Sequence, residues 1–269
     1  MKSLDDEYAN AAYIPGADKF VVRWEAEAAH YRKTLLESGR AEIDMVYGPS
    51  DRERYDLFCP QKGSKGTVVF VHGGYWLNFD KSYWSHLAAG AVQSGWHVVM
   101  LSYDLCPTVR IGEISRQIAR AVVKVTEREL GPIILTGHSA GGHLVARMGV
   151  GDLLPKDVSD QIAHIVPISP VADLRPLLHT KMNASLELDE TLAAAESPVL
   201  MAKPTTKVTV WVGGDERPAF LDQAGWLSKA WESELVIEPN RHHFDVIDGL
   251  INPQSILCRQ LLDIGHSPS

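Results

Sequence analysis

Cysteine is scarce, with three in 269 residues, at positions 59, 106 and 258. An odd number so widely scattered is neither a disulfide framework nor a metal knuckle. Long apolar runs are missing too. The most apolar windows, Thr67–Val71 and Pro132–Leu135, fall far short of the ~18–20 residues that span a bilayer. The start, Met1-Lys2-Ser3-Leu4-Asp5-Asp6-Glu7, is acidic, where a secretory signal begins basic and continues apolar. No block of like charge is long enough for a tail or a polybasic anchor. With 26 Lys and Arg against 34 Asp and Glu, the formal charge is −8, without the basic excess of a nucleic-acid footprint. These absences predict a reduced, cytoplasmic protein with no nucleic-acid or membrane partner.

What is present is ordinary globular composition, 45% hydrophobic and 22% charged. The length suits one hydrophobic core, so residues 1–269 are expected to form a single domain. A helical segment fills the first forty residues, running through Trp24 to Leu36 and stopping at Ser38-Gly39. Short β-rich runs then alternate with helical patterns: Ile43–Tyr47, Tyr55–Phe58, Thr67–Val71, His97–Ser102, Ile133–Thr136, Ile162–Ile168, Lys207–Val212 and Glu234–Glu238. The clearest helix is Ile111–Leu130, where Ile111, Ile114, Ile118, Ala121, Val122 and Val125 recur at helical spacing. Continuous Val/Ile runs suit parallel strands buried on both faces, and the alternation predicts a doubly wound, mostly parallel α/β sheet of about eight strands. The first two strands, parted by Gly48-Pro49-Ser50-Asp51, read as a hairpin at one sheet edge. The stretch from Leu174 to Thr206 breaks the alternation. It leaves a strand end, where α/β sheets bind ligands, and is expected, with the N-terminal helix, to act as a lid.

Gly137-His138-Ser139-Ala140-Gly141 fits G-x-S-x-G between a strand run and a helix through His143-Leu144-Val145-Ala146. Strand–turn–helix is what a nucleophile elbow requires, and small residues at 137 and 141 let strand and helix approach. His72-Gly73-Gly74-Tyr75-Trp76 follows the strand Thr67–Val71. Backbone N–H groups of Gly74 and Tyr75, with that of Ala140, are the expected oxyanion donors. His72 reads as a loop-fixing hydrogen-bonder, and His138 and His143 as structural. A serine nucleophile needs a base and an orienting acid. Arg241-His242-His243-Phe244-Asp245 follows the last strand and opens a helical stretch, Phe244–Leu250. His243 is the expected base and His242 a surface neighbour. For the acid, Asp215 and Glu216 compete at the end of the penultimate strand, with Asp173 a third candidate; periodicity does not choose among them. No helix carries the paired ligands of a metal protease, so neither metal nor cofactor is expected.

These residues resemble the serine-hydrolase branch of the α/β-hydrolase family, and within it the kynurenine formamidase (arylformamidase) group, neighbours of hormone-sensitive-lipase-like esterases. The matching pieces are His72-Gly73-Gly74-Tyr75-Trp76, Gly137-His138-Ser139-Ala140-Gly141-Gly142-His143-Leu144, His243-Phe244, the loop Tyr103-Asp104-Leu105-Cys106-Pro107 and the leading hairpin. The resemblance places the acid three residues beyond Gly213 and four before Phe220, at Glu216, where the family usually carries Asp; Asp215 stays the alternative. It implies acyl transfer on a small-molecule substrate: an aryl formamide such as N-formylkynurenine, a short-chain ester as the alternative, or, remotely, a receptor without catalysis. A formyl group asks for a narrow acyl pocket, toward which Tyr75 and Trp76 are the bulky candidates. The sequence does not fix the assembly; a homodimer is the one partner state carried forward.

Overall fold

The computed structural model describes residues 3–265 apart from positions 129 and 152. Eight strands form one sheet: β1 (Ala41–Val46), β2 (Arg54–Phe58), β3 (Thr67–Val71), β4 (His97–Leu101), β5 (Ile133–His138), β6 (Ile162–Ile168), β7 (Lys207–Gly213) and β8 (Glu234–Glu238), in the spatial order 1-2-4-3-5-6-7-8. β1 pairs antiparallel with β2 and β2 with β4; the remaining neighbours are parallel. Every expected strand is present, and the hairpin lies at the sheet edge. It carries a bulge between Glu42 and Met45, where Asp44 adopts φ 58°.

The strands explain the two-sided core. Along β3 all five residues are buried, and alternation sends Val69 and Val71 to one face, Val68 and Phe70 to the other. The helices that cover the sheet are α1 (Ala17–Glu37), α2 (Ala89–Gln93), α3 (Ile111–Thr126), α4 (Ala140–Met148), α5 (Pro218–Trp231) and α6 (Ile256–Leu262). The first face is covered by α3, α4 and α5 through side chains such as Ile118, Leu144 and Leu227. The second is covered by α1, α2 and α6 through Trp24, Val92 and Leu257. All six apolar positions of the spacing pattern in α3 are buried. That helix stops at Thr126, short of the expected Leu130, because Gly131 at φ 84° and Pro132 turn the chain into β5. The expected helix at Phe244–Leu250 is a tighter 3₁₀ stretch, Val246–Ile251. Among the described residues, no helix is long and apolar enough to cross a membrane.

The sequence-predicted site residues fall in loops that leave the carboxyl ends of β3, β5, β7 and β8, at one end of the sheet.

Candidate active site

Ser139 stands between β5 and α4 at φ 56°, ψ −116°, a conformation that a non-glycine residue adopts only when its surroundings enforce it. The enforcement is close packing. A Cβ on Gly141 would lie 2.0 Å from the Val71 carbonyl oxygen, and one on Gly137 would lie 2.4 Å from that of Gly141. Only glycine lets the strand, the turn and the helix come this near. The Ser139 N–H donates to the Ile168 carbonyl (2.9 Å), tying the elbow to the end of β6. Ala140 opens α4, where the first amides of a helix have no intrahelical acceptor.

The imidazole of His243 donates from Nδ1 to Glu216 Oε2 at 2.5 Å. In the neutral ring that contact puts the proton on Nδ1 and leaves Nε2 free, the tautomer a base for serine needs. Glu216 is itself held: its Oε1 accepts from the Gly213 N–H (2.8 Å) and from the Ser169 hydroxyl. Both side chains are almost fully enclosed, and Phe220 packs on the imidazole at 4.2 Å between ring centroids. Asp215 lies exposed on the other side of the turn, with its N–H on the Arg241 carbonyl (2.9 Å). Asp173 is engaged by the Arg175 guanidinium (2.7 and 2.9 Å). Neither faces the imidazole. His242 accepts the Phe244 N–H at Nδ1 (3.1 Å) and meets Phe20 edge-on, as a local cap. Ser169, which sequence reading passed over, sits after β6 at φ 47° and reaches the acid across 47 residues of chain. Only its place after a strand end hinted at a role.

The loop after β3 closes on the elbow. A Cβ on Gly73 would be 3.1 Å from Ser139 Cβ. Gly74 adopts φ 113°, Tyr75 φ 53° and Trp76 φ 58°. This left-handed run sends the Trp76 side chain inward, against the expectation that it lines the substrate pocket. Trp76 is fully buried and meets the His143 ring edge-on at 5.1 Å, within the core. Tyr75 does reach the site, with its hydroxyl donating to the Tyr8 carbonyl (2.7 Å). His72 donates from Nδ1 to the Gly73 carbonyl (2.7 Å) and stacks on Tyr103, whose hydroxyl returns a bond to the His72 carbonyl (2.8 Å). Burial pulls its pKa down to about 4, which keeps it neutral. His138 is likewise neutral, held well below the usual range first by burial and then by His243, whose ring is 4.5 Å away. Among the described residues no group of three or more His, Cys, Asp or Glu is arranged to hold a metal.

Ser139, His243, Gly74 and Tyr75 open onto one cavity of about 470 Å³. Its far wall is a strap of the N-terminal segment, Tyr8 to Ala12, together with Trp24 from α1. The strap is anchored from below. The Gln223 amide donates to the Tyr8 hydroxyl (2.7 Å), and Arg217 bonds Asp6 (3.1 Å) while lying 3.6 Å over the Tyr13 ring. The segment expected as a lid, 174–206, lines none of this cavity. Its Leu174, Leu177, Leu186 and Ala193 are in the core, and Glu196 bonds Ser115 (2.8 Å), Arg147 (3.0 Å) and, through its carbonyl, His143 (2.7 Å). Apolar burial and these bonds bolt it beneath α3 and α4. The cover comes from the strap, which carries no motif to mark it.

A family model for the alpha/beta hydrolase fold matches residues 68–208. Kynurenine formamidase of Danio rerio is 32% identical over 243 residues, 84% of this chain and 82% of that protein. The solved structure of a candidate thioesterase from Silicibacter sp. tm1040 shares 53% identity at a TM-score of 0.93, covering 96% of this chain and 98% of that one. An esterase of Pyrobaculum calidifontis, 16% identical with a TM-score of 0.67 over 92% of both chains, shares the fold. The chain therefore belongs to the α/β-hydrolase family, in the branch that holds the kynurenine formamidases.

Proposed function

We propose that this chain is a serine hydrolase of the arylformamidase type, releasing formate from a small aryl formamide by way of a formyl-enzyme. The observation that carries the substrate class is the 32% identity to a kynurenine formamidase over more than four-fifths of both chains. The geometry around Ser139 supplies the chemistry. His243 takes the hydroxyl proton at Nε2 as Ser139 Oγ attacks the formyl carbon. The N–H groups of Gly74, Tyr75 and Ala140 receive the developing oxyanion, and Glu216 steadies the imidazolium. His243 then returns the proton to the departing aryl amine as the C–N bond breaks. Water, deprotonated by the same imidazole, attacks the formyl ester, and formate leaves with Ser139 restored. Free Cys59, Cys106 and Cys258 fit a reducing compartment, and we place the enzyme in the cytoplasm.

A short-acyl esterase uses the same atoms, and the apolar cavity favours it as the second reading. Hydrolysis of formanilide and of 4-nitrophenyl acetate by the purified protein, with Ser139→Ala as the blank, separates the two. A higher kcat/KM on the formanilide supports the formamidase. Ester turnover without formate release from the anilide rejects it.

A further inference from the structure

The cavity is walled mainly by aromatic rings and small side chains. Among the described residues that line it there is no Lys, Arg, Asp or Glu; the surface is made by rings such as Tyr8, Trp24, Phe79 and Trp84, with alanines between them. Several charges near these wall residues are engaged elsewhere: Asp80 and Asp245 accept the N–H groups of Ser82 and His242 (both 2.7 Å), and three arginines are turned to other partners. Arg217 is turned to Asp6 and Arg23 holds Asp248 through two bonds (2.9 and 3.0 Å), while Arg52 is spent on the carbonyls of Tyr103 and Phe79. His138, the histidine beside the nucleophile, is kept neutral by its burial.

Four buried polar atoms in this wall have no hydrogen-bond partner among the described residues, Trp24 Nε1, Trp84 Nε1, His138 Nε2 and Asn10 Oδ1, and only the last belongs to a carboxamide. Asn10 is 6% exposed, and its Oδ1 is enclosed without a hydrogen-bond partner among the described residues. A carboxamide presents either a donor or an acceptor by turning about its last torsion, and it is neutral in both cases. A substrate that brings an ammonium and a carboxylate into such a space leaves both unpaired, which is costly, whereas a ring ketone or amide needs one neutral partner.

Resting on the reading that this cavity is where hydrolysis occurs, we infer that the site is built for a neutral aryl substrate whose polar substituent is met by Asn10, and that it discriminates against the zwitterionic amino-acid group of N-formylkynurenine.

Two matched pairs test this. 2′-Formamidoacetophenone and N-formyl-L-kynurenine share the formamide and the ring ketone and differ by the amino-acid group. 4-Methylphenyl acetate and O-acetyl-L-tyrosine differ in the same way within an ester series. In whichever series the enzyme cleaves, kcat/KM is expected to be at least about 10-fold higher for the neutral member, because the charged group finds no partner in the wall. A zwitterion turned over as well as its neutral counterpart overturns the inference. Turnover of esters alone rejects the formamidase reading, and the ester pair still decides the question of charge. Inactivity on all four with Ser139 intact rejects both. Asn10→Ala is expected to raise KM for 2′-formamidoacetophenone by about 10-fold, and by less for formanilide, which lacks the ketone. Equal changes on the two would remove Asn10 from recognition.

Discussion

Glu216 Oε2 lies 2.5 Å from His243 Nδ1, while the neighbouring Asp215 points to solvent from the opposite side of the same turn. Two carboxylates in adjacent positions thus have unrelated surroundings. Glu216→Gln is expected to lower kcat by roughly 10³–10⁴-fold, because the amide destabilises the imidazolium and favours the wrong tautomer. Asp215→Asn should stay within about twofold of the parent, as exposed substitutions usually do. Steady-state kinetics on the two variants check this, and equal losses would reject the assignment of Glu216 as the acid.

The space around Gly141 in the elbow and Gly225 in α5 makes opposite predictions for the two glycines. Gly141→Ala puts a methyl 2.0 Å from the Val71 carbonyl oxygen, where only backbone can move, and should destabilise the fold by about 3 kcal/mol or more. Gly225 lies inside α5 with nothing within 4 Å of its notional Cβ. Gly225→Ala should therefore stabilise by about 0.5–1 kcal/mol. Urea unfolding of both variants reads the signs directly.

Arg217 holds the strap, so its loss should act on substrate retention more than on chemistry. Arg217 lies over the Tyr13 ring and bonds Asp6, and Arg217→Ala is expected to raise KM about fivefold with a smaller fall in kcat. A fall in kcat alone would place Arg217 with the chemistry instead, through its neighbour Glu216.

Buried histidines set the acid limit of stability. Burial lowers the pKa values of His72, His143 and His164 to about 4 from 6.5. Above pH 6.5 neither the folded nor the unfolded chain protonates them, and they cost nothing. Below it the unfolded chain takes up protons that the folded chain refuses, so stability falls as pH drops from about 6.5 to about 4, by at most about 3 kcal/mol per histidine. Urea midpoints measured across that range should decline. His143→Gln, which keeps a donor for the Glu196 carbonyl, should flatten the slope. A midpoint independent of pH in this window would contradict the prediction.

The eight strands were legible because Val- and Ile-rich runs with polar or glycine breaks leave little choice of element. The elbow was legible because its demands are local: a strand, two glycines and a helix within a dozen residues. The acid was not legible from the residues alone, since Asp215 and Glu216 differ only in which way one turn faces them; the family spacing pointed to Glu216, the carboxylate that meets His243. Trp76 was misread for a related reason. Its sequence neighbours suggest a pocket wall, but the left-handed backbone at Tyr75 and Trp76 turns the ring into the core. Asn10 and Tyr8 left no signal and Ser169 only its place after a strand, because each acts through a partner or a space supplied by a distant part of the chain. The lid expectation for 174–206 rested on a gap in the alternation, and a gap says nothing of which way a segment folds back.

The strap has one more consequence, for the newborn chain. Tyr8 and Asp6 leave the ribosome well before their partners Gln223 and Arg217, which follow 215 and 211 positions later. Until then the roof of the cavity has the Tyr75 hydroxyl on its Tyr8 carbonyl but lacks these two anchors, and Ser139 is made before they are. Closing so long a loop is slow, so these contacts are expected to form after the local pairing of neighbouring strands.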